Sequence, residues 1–476
     1  MKKLKKNRKS GNFQIMSVTW GFVLLFLGMI GYICYYSATN RQELINNSYN
    51  GRQELLLSQN TRGSIYSATG DLLAYTEAGQ DGKEHRVYPY ENLFAHIVGY
   101  ATNGRMGVEA MGNYYLINSN APLSEKAAND IAGEKYPGDD IYTTLDPELQ
   151  RVAAKSLGVY KGAVVVTEPS TGKILAMVSK PDFNPDEISS IWEDLLTDSE
   201  SSVLLNRATQ GLYPPGSTFK IVTALEYIRE NPDTYQGYTY TCNGHFAKGD
   251  GRINCYHGTA HGQIGFDRSF AKSCNSSFAN IGLSLQTESF TRTLKDLLFG
   301  QDLPLQMSYN KSYVTDLDQI DDGLMMQVSI GQGTTQITPM HLNMITCAIA
   351  NNGTLMKPYV IDRVENSTGN IMKQFSPGAY TKMMNETEAA ALQKIMEEVV
   401  KTGTATRLTG LSYTAAGKTG SAEYGNIKGE SHAWFTGYAP AENPEICVTI
   451  IIEGAGAGGD YAVPIAKRIF DAYYGL

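Results

Sequence analysis

At 476 residues, the chain is two to three times as long as a usual domain, so we expect one sizeable core and a second folding unit. The formal net charge of -8 argues against a nucleic-acid partner, because phosphate binding needs clustered lysine and arginine side chains. Six cysteines are too few for a disulfide scaffold, although an exported chain has room for one or two bridges.

The N-terminus combines a basic tail with a long apolar run. Lysine and arginine dominate the first ten positions, and no further charged residue follows until Arg41. Residues 15–37 are mostly apolar and long enough to cross roughly 30 Å of hydrocarbon as a helix. The positive-inside rule assigns the tail, residues 1–14, to the cytoplasm and everything after the anchor to the outside. The sequence thus predicts a single-pass protein of the cell membrane with an extracytoplasmic C-terminal part. A cleaved signal peptide is less favoured, since Ser37-Ala38-Thr39 is a poor cleavage site.

Residues 38–139 form a predicted stalk followed by a short pedestal. Leucine and isoleucine recur at helical spacing up to about Asn60, which indicates a helix continuing from the membrane. The pattern then changes to short apolar pieces, and segments 62–65 and 70–74 are spaced like two strands across a turn. We therefore expect a small, elongated module here.

Residues 140–476 form the predicted second domain. A strand at its start leads into a helix capped by Asp146, with Pro147 in the first helical position. Two β-rich runs on either side of the turn 168–172 indicate a hairpin. Segments 433–438 and 446–452 are a second pair of β-rich runs of the same kind. Helical segments fill the middle, and an amphipathic helix ends the chain. The α+β pattern predicts a mixed central sheet covered by helices.

A serine nucleophile can be activated by a lysine three residues later on a helix, because this spacing places both side chains on one face. Ser-x-x-Lys occurs four times, beginning at Ser170, Ser217, Ser269 and Ser308. The copies at Ser170 and Ser308 lie in a predicted turn and a polar loop. Ser217 follows Pro-Pro-Gly and precedes an apolar helical run that contains Lys220, so it lies at a helix start, where backbone N–H groups favour a developing anion. Context therefore favours Ser217.

Two further short motifs also have several copies. Ser273-Cys274-Asn275 lies between two predicted helices, unlike the scattered Ser-x-Asn copies near the N-terminus. Lys401-Thr402-Gly403 ends a long helical run, where lysine and glycine are ordinary capping residues. Lys418-Thr419-Gly420 leads into small residues suited to an open strand edge, so we favour this copy.

The ordered set Ser217-Thr218-Phe219-Lys220, Ser273-Cys274-Asn275 and Lys418-Thr419-Gly420 resembles the signature of the penicillin-binding protein and serine β-lactamase superfamily. Upstream, Arg62-Gly63-Ser64-Ile65 and Gly107-Val108-Glu109 resemble the pedestal of class B, monofunctional penicillin-binding proteins. No Glu-Asp-x-x-Phe element of a glycosyltransferase is found. The resemblance implies a β-lactamase-like transpeptidase domain that cross-links peptidoglycan stem peptides through a Ser217 acyl-enzyme, releases the terminal D-alanine and is inhibited by β-lactams.

Roles for the site residues follow from the resemblance and from the chemistry. Lys220 is the expected acylation base, with its pKa lowered by burial and by Lys418. The resemblance assigns proton transfer to Ser273 and orientation of Lys220 and substrate to Asn275. The expected oxyanion hole is the backbone N–H groups of Ser217 and Ser421. The expected substrate-binding residues are Thr419, Gly420 and Ser421. The Thr419 and Ser421 hydroxyls are expected near the terminal carboxylate, and Lys418 adds the positive charge that this group requires.

Two other functions remain open. A serine β-lactamase shares the three motifs but needs neither anchor nor pedestal, and a β-lactam-sensing receptor usually carries several spans and a cytoplasmic protease. No cofactor is expected. The resemblance also suggests, as a partner, a membrane glycan polymerase of the shape, elongation, division and sporulation (SEDS) type.

A cluster of cysteine and histidine between positions 242 and 274 has three interpretations. Cys242, Cys255, His261 and Cys274 are unpaired core and loop residues, or contribute a Cys242–Cys255 disulfide, or bind zinc. The spacing matches no standard zinc pattern, so no metal is expected.

Overall fold

The computed structural model of the chain describes residues 2–39, 52–79, 82–197, 202–424 and 430–476. Its first helix, α1 (Lys2–Thr39), contains a 25-residue stretch, Phe13–Ser37, with a mean hydropathy of 1.9 and no buried side chains. Its length and composition suffice to cross a bilayer. Of the predicted stalk, residues 40–51 lie outside the described residues, and the remainder contains α2 (Arg52–Gln59).

The other helices follow in chain order. They are α3 (Gly107–Met111), α4 (Asn113–Ile117), α5 (Leu123–Ala132), α6 (Pro147–Leu157), α7 (Ile188–Thr197), α8 (Lys220–Glu230), α9 (Phe266–Ala271), α10 (Asn275–Gly282), α11 (Thr287–Asp296), α12 (Asp322–Val328), α13 (Pro339–Ala350), α14 (Glu386–Lys401) and α15 (Gly458–Tyr473). Short 3₁₀ turns lie at Glu91–Phe94, Pro185–Glu187, Gly216–Phe219, Tyr235–Gly237, Tyr256–Gly258, Leu317–Gln319 and Thr406–Leu408.

The strands lie at both ends of the chain and in its middle. They are β1 (Asn60–Thr61), β2 (Ile65–Tyr66), β3 (Leu72–Ala78), β4 (Glu84–Val87), β5 (Tyr136–Pro137), β6 (Asp140–Thr143), β7 (Gly162–Thr167), β8 (Ile174–Lys180), β9 (Thr239–Cys242), β10 (His245–Lys248), β11 (Gly251–Asn254), β12 (Gly262–Gly265), β13 (Thr354–Met356), β14 (Ile361–Glu365), β15 (Ile371–Gln374), β16 (Ala379–Lys382), β17 (Ala416–Glu423), β18 (Ser431–Ala439) and β19 (Ile446–Ile452).

The N-terminal module is built on a six-stranded sheet with strand order β15-β14-β6-β2-β3-β4. Strands β2 and β3 pair antiparallel across the turn expected from the sequence, whereas β2 and β6 pair parallel. Strand β14 pairs with β6, so a segment more than two hundred residues later in the chain completes this sheet. The sheet therefore links the predicted pedestal to the domain that follows it.

The second sheet is five-stranded and antiparallel, with strand order β17-β18-β19-β7-β8. Every residue of β7, β18 and β19 is buried, which means that both faces of these strands are covered. Helices α13 and α15 pack on β18 and β19, and α6 packs against α15. The predicted α+β class, a central sheet covered by helices, is confirmed.

Local sequence explains several of these boundaries. The Asp146 carboxylate accepts hydrogen bonds from the N–H groups of Glu148 and Leu149, at 2.8 and 3.0 Å, and so begins α6 where the sequence places it. Glu168–Gly172 forms the turn between β7 and β8, and Gly172 adopts a positive φ of 82° there.

Candidate active site

Ser217 lies in the 3₁₀ turn Gly216–Phe219, which leads directly into α8. Gly216 has a φ of +52°, and a Cβ atom at this position would lie 2.9 Å from the Ser421 carbonyl oxygen on β17. The Trp434 indole also donates to the Pro214 carbonyl at 3.0 Å. The Pro-Pro-Gly sequence thus allows the turn to pack tightly against the sheet, with Ser217 beside the edge strand β17.

Lys220 lies one turn after Ser217, with its Nζ fully buried at the centre of the site. The Nζ lies 3.1 Å from Ser217 Oγ and 3.2 Å from Ser273 Oγ. It also donates to the Ser273 carbonyl and to Asn275 Oδ1, each at 2.7 Å. Lys220 is therefore within hydrogen-bonding distance of both hydroxyl groups predicted from the sequence.

Ser273 and Asn275 flank the junction between α9 and α10. Ser273 adopts a left-handed φ of 56°, an uncommon conformation for a residue other than glycine, asparagine or aspartate. Asn275 is the first residue of α10, and its Nδ2 donates to the Asn254 carbonyl at 2.9 Å. The surrounding contacts thus hold both polar side chains toward Lys220.

Lys418 lies on β17 and reaches the site from the opposite side. Its Nζ donates to Ser273 Oγ and to the Thr419 carbonyl, both at 3.0 Å. Ser273 Oγ consequently lies between two lysine amines. The structure brings Ser217, Lys220, Ser273, Asn275 and Lys418 together into one hydrogen-bonded group.

Burial governs the electrostatics of both amines. Removal from water lowers the pKa of Lys220 to about 7. Burial also lowers the pKa of Lys418 well below its ordinary value, and the nearby charge of Lys220 lowers it further. Phe278 and Phe270 lie under the two Nζ atoms, at 5.6 and 5.5 Å from the ring centroids. A neutral amine next to a serine hydroxyl can act as a general base.

A cleft of about 410 Å³ opens above this group and provides space for a substrate. Ser217, Ser273 and Asn275 line it together with Thr419, Gly420 and Ser421 from β17. Both residues expected to form the oxyanion hole therefore lie on the cleft. The Ser421 hydroxyl accepts a hydrogen bond from the Gly458 N–H at 3.2 Å, at the start of α15.

Several cleft residues belong to none of the three sequence motifs. Thr404 and Arg407 reach the cleft from the segment after α14, and Asp460, which pairs with Arg407 at 3.2 Å, reaches it from the first turn of α15. Tyr256 and His261 line another wall. Only their positions in space connect them with Ser217, because no spacing rule relates these residues to the three motifs.

The other motif copies lie in unsuitable places. Ser170 and Ser308 are exposed in a turn and a loop, while Ser269 is fully buried and accepts a hydrogen bond from the Ser277 hydroxyl at 2.8 Å. Lys401 is the last residue of α14 and forms an exposed ion pair with Glu397. Ser170, Ser269, Ser308 and Lys401 do not line the cleft, although Lys272 of the Ser269 copy does.

The lowered pKa of Lys220 predicts how acylation depends on pH. Only the neutral amine can accept the Ser217 proton, and its fraction grows as the pH rises through about 7. We expect the rate of Ser217 acylation by a penicillin to rise tenfold per pH unit below pH 7 and to level off above it. Stopped-flow or quenched labelling from pH 5.5 to 9 measures this profile. A rate that is flat across this range, or that falls as the pH rises, would contradict a basic role for Lys220.

The fold and the site place a serine hydroxyl beside a buried lysine amine, an arrangement suited to acyl transfer. The model of the penicillin binding protein transpeptidase domain matches residues 162–471, and that of the penicillin binding protein A dimerisation domain matches residues 62–141. The peptidoglycan D,D-transpeptidase PbpA of Mycolicibacterium smegmatis is 30% identical over 458 residues, covering 88% of this chain and 91% of that protein. The chain therefore belongs to the penicillin-binding protein transpeptidase family.

Solved structures agree with this assignment. Penicillin-binding protein A from M. tuberculosis, as a ceftriaxone acyl-enzyme complex, matches with a TM-score of 0.79 and 27% identity, covering 87% of this chain and 98% of that one. The D,D-transpeptidase domain of a peptidoglycan glycosyltransferase from Eggerthella lenta matches with a TM-score of 0.79 and 28% identity, covering 88% of this chain and 100% of that one. The predicted family, that of monofunctional penicillin-binding proteins, is confirmed.

Proposed function

We propose that this chain is a peptidoglycan D,D-transpeptidase that cross-links stem peptides through an acyl-enzyme on Ser217. The observation that carries the assignment of Ser217 is the 3.1 Å distance between its Oγ and the buried Nζ of Lys220, at the floor of an open cleft. The relative PbpA is itself named a peptidoglycan D,D-transpeptidase. The structurally similar penicillin-binding protein A forms an acyl-enzyme with ceftriaxone.

The geometry supports a sequence of proton transfers. Neutral Lys220 accepts the Ser217 proton while Oγ attacks the carbonyl carbon of the penultimate D-alanine, and the N–H groups of Ser217 and Ser421 stabilise the oxyanion. Ser273 Oγ, 3.2 Å from Lys220 and 3.0 Å from Lys418, passes a proton to the leaving D-alanine nitrogen. The peptide C–N bond breaks and an ester to Ser217 remains. An amine of a neighbouring stem peptide then attacks this ester, and the serine proton returns by the reverse path.

Substrate recognition is assigned to β17. Lys418 and the Thr419 and Ser421 hydroxyls bind the terminal carboxylate of the donor peptide, and Gly420 lets the peptide approach the strand. A β-lactam presents a carboxylate and a strained amide to the same groups, so it acylates Ser217. Asn275 orients Lys220, to which its Oδ1 lies at 2.7 Å.

We propose the topology and partners as follows. Residues 1–14 are a cytoplasmic tail, residues 15–37 a membrane anchor, residues 38–139 the stalk and pedestal, and residues 140–476 the extracytoplasmic transpeptidase domain. The basic tail and the apolar span support this orientation. A membrane glycan polymerase of the SEDS type is the proposed partner, and this rests on the family resemblance.

A labelling experiment on the full-length chain in detergent tests the function. The protein is incubated with a fluorescent penicillin, and the labelled peptide is identified by mass spectrometry. We expect a stable label on Ser217 that is absent from Ser217→Ala and unchanged in Ser308→Ala, which alters an exposed copy of the same motif. Release of hydrolysed penicillin within seconds would instead support a β-lactamase. Label on another residue would overturn the assignment of Ser217.

A further inference from the structure

Three cysteines and one histidine meet directly behind the Ser273–Asn275 loop. Cys242 ends β9, Cys255 follows β11, His261 precedes β12 and Cys274 is the N-cap of α10. The three cysteine side chains are buried and His261 is partly buried. Four separate segments thus each contribute one possible ligand atom to the same cluster. The first and last of these residues, Cys242 and Cys274, have 31 residues between them in the sequence.

The distances within this cluster match those of a tetrahedral metal site. Cys255 Sγ lies 3.6 Å from Cys242 Sγ and 3.7 Å from Cys274 Sγ, and Cys242 Sγ lies 3.4 Å from His261 Nδ1. All four atoms lie within 4.8 Å of one another. Zinc–sulfur bonds of about 2.3 Å at tetrahedral angles place two thiolates roughly 3.8 Å apart, and a thiolate and an imidazole nitrogen slightly closer. The four atoms therefore surround a space of the size that Zn²⁺ occupies.

The cluster fits a disulfide less well. A disulfide joins its sulfurs at about 2.05 Å, whereas Cys255 Sγ has nearly equal distances to two other sulfurs. A disulfide between any two of the three cysteines would leave the third thiol buried next to that disulfide. The arrangement also supplies hydrogen-bond donors to sulfur: the N–H groups of Gly244 and Ser277 donate to Cys242 and Cys274, each at 3.4 Å. Such donors stabilise the negative charge of a metal-bound thiolate.

We propose that Cys242, Cys255, His261 and Cys274 bind one Zn²⁺ in a closed, structural Cys₃His site. Thiolate and imidazole ligands favour zinc over magnesium or calcium, and four protein ligands complete its tetrahedral shell. Binding releases the protons of the three thiols to solvent. This inference replaces the expectation of no metal. The antiparallel β9–β12 pair and the β10–β11 hairpin that lies between its strands in the sequence bring the four ligands together despite their unusual spacing.

The position of the site gives it a role in the proposed acyl transfer. Cys274 lies between Ser273 and Asn275 in the sequence, and Asn275 Nδ2 bonds the carbonyl of Asn254, the neighbour of Cys255. A metal that joins Cys274 to Cys255 therefore fixes the loop that contacts Lys220. Cys274 is a positioning residue in this scheme, and its effect on acylation rests on the proposed function, whereas metal binding does not.

Metal content of the full-length chain in detergent tests the site. The protein is purified without added zinc or chelator, and zinc is measured by elemental mass spectrometry. We expect about one zinc per chain in the wild type and in Cys347→Ala, which alters a buried cysteine outside the cluster, and none in Cys242→Ser or Cys255→Ser. Equal zinc in all four proteins would indicate adventitious metal and overturn the proposal, as would a wild-type chain without zinc, whether its thiols are free or form a Cys242–Cys255 disulfide.

Replacing zinc by cobalt in the wild-type protein tests the same site without any substitution, so the result does not depend on whether a variant folds. Wild-type protein depleted with a chelator under reducing conditions is titrated with Co²⁺. We expect a thiolate-to-cobalt charge-transfer band and intense visible bands of a tetrahedral centre, saturating at one equivalent and abolished by Zn²⁺. Weak bands typical of six-coordinate cobalt, or no saturation, would overturn the site.

Penicillin labelling tests whether the metal positions the Ser273–Asn275 loop. The metal-depleted wild-type chain, kept well below its unfolding temperature, should acylate at Ser217 roughly tenfold to a hundredfold more slowly, and one equivalent of Zn²⁺ should restore the rate. An unchanged labelling rate in a chain that binds zinc would leave the metal site standing and overturn its positioning role. Absence of labelling before depletion would count against the proposed function alone.

Discussion

Replacing Lys220 by methionine should reduce the rate of Ser217 acylation by roughly a thousandfold, the loss expected when a general base is removed. Methionine fills the apolar part of the lysine pocket beside Phe278, so the change removes the amine and little volume. It also leaves the Ser273 carbonyl and Asn275 Oδ1 without their donor. The rate is therefore measured on folded protein, with a fluorescent penicillin over a range of concentrations.

A second substitution separates basicity from positive charge. Lys220→Arg keeps a donor near Ser273 and Asn275, but guanidinium holds its proton at every working pH and cannot accept one from Ser217. We expect this variant to be as slow as Lys220→Met. Lys401→Met, which alters the exposed lysine of the other Lys-Thr-Gly copy, should label at the wild-type rate. If Lys220→Arg kept a rate within a few-fold of the wild type, the proton acceptor would have to be another group.

The residues that the structure brings together around Lys220 could be selected from the sequence, because their motifs are local and their context is informative. The helix start at Ser217 follows from Pro-Pro-Gly, and the strand that carries Lys418 follows from the small residues around it. The same reasoning rejected Ser308 and Lys401, which the structure places on exposed surfaces. The residues next to each motif indicate its local backbone conformation, so short segments were sufficient to choose among the copies.

Contacts between distant segments could not be predicted in this way. The pairing of β14 with β6 joins residues 361–365 to residues 140–143, and neither segment encodes its partner. Thr404, Arg407 and Asp460 reach the cleft through the packing of α14 and α15 on the sheet. The sequence showed that cysteine and histidine are concentrated between positions 242 and 274. Their geometry, however, depends on the registers of the β9–β12 and β10–β11 pairs, which a single sequence does not specify. The pairing and register of strands far apart in the chain are therefore the part of this fold that its local sequence does not specify.

The N-terminal module contains a buried ion network, and removing its acid should destabilise that module strongly. The Glu109 carboxylate is fully buried between two arginines, with Arg62 Nε and Arg86 Nε each donating to it at 2.7 Å. Burial opposes ionisation of Glu109, but the charges of Arg62 and Arg86 outweigh it and lower the pKa of the acid. Both arginines carry further bonds, from Arg62 to Asn113 and from Arg86 to the Gly63 carbonyl, each at 2.7 Å.

Glu109→Gln leaves two buried guanidinium groups without a counter-charge, and we expect a loss of about 3–5 kcal/mol of local stability. That loss raises the open population of the module roughly a hundredfold or more. Hydrogen exchange of the full-length chain should show this increase in segments 62–79 and 107–117. Glu84→Gln provides the matched control, because Glu84 pairs with Lys135 at 2.8 Å in a solvent-exposed bridge of the same module. Exposed bridges contribute at most about 1 kcal/mol. Similar exchange in the two variants would mean that water reaches the Glu109 network, and that its charges are screened as they are at the surface.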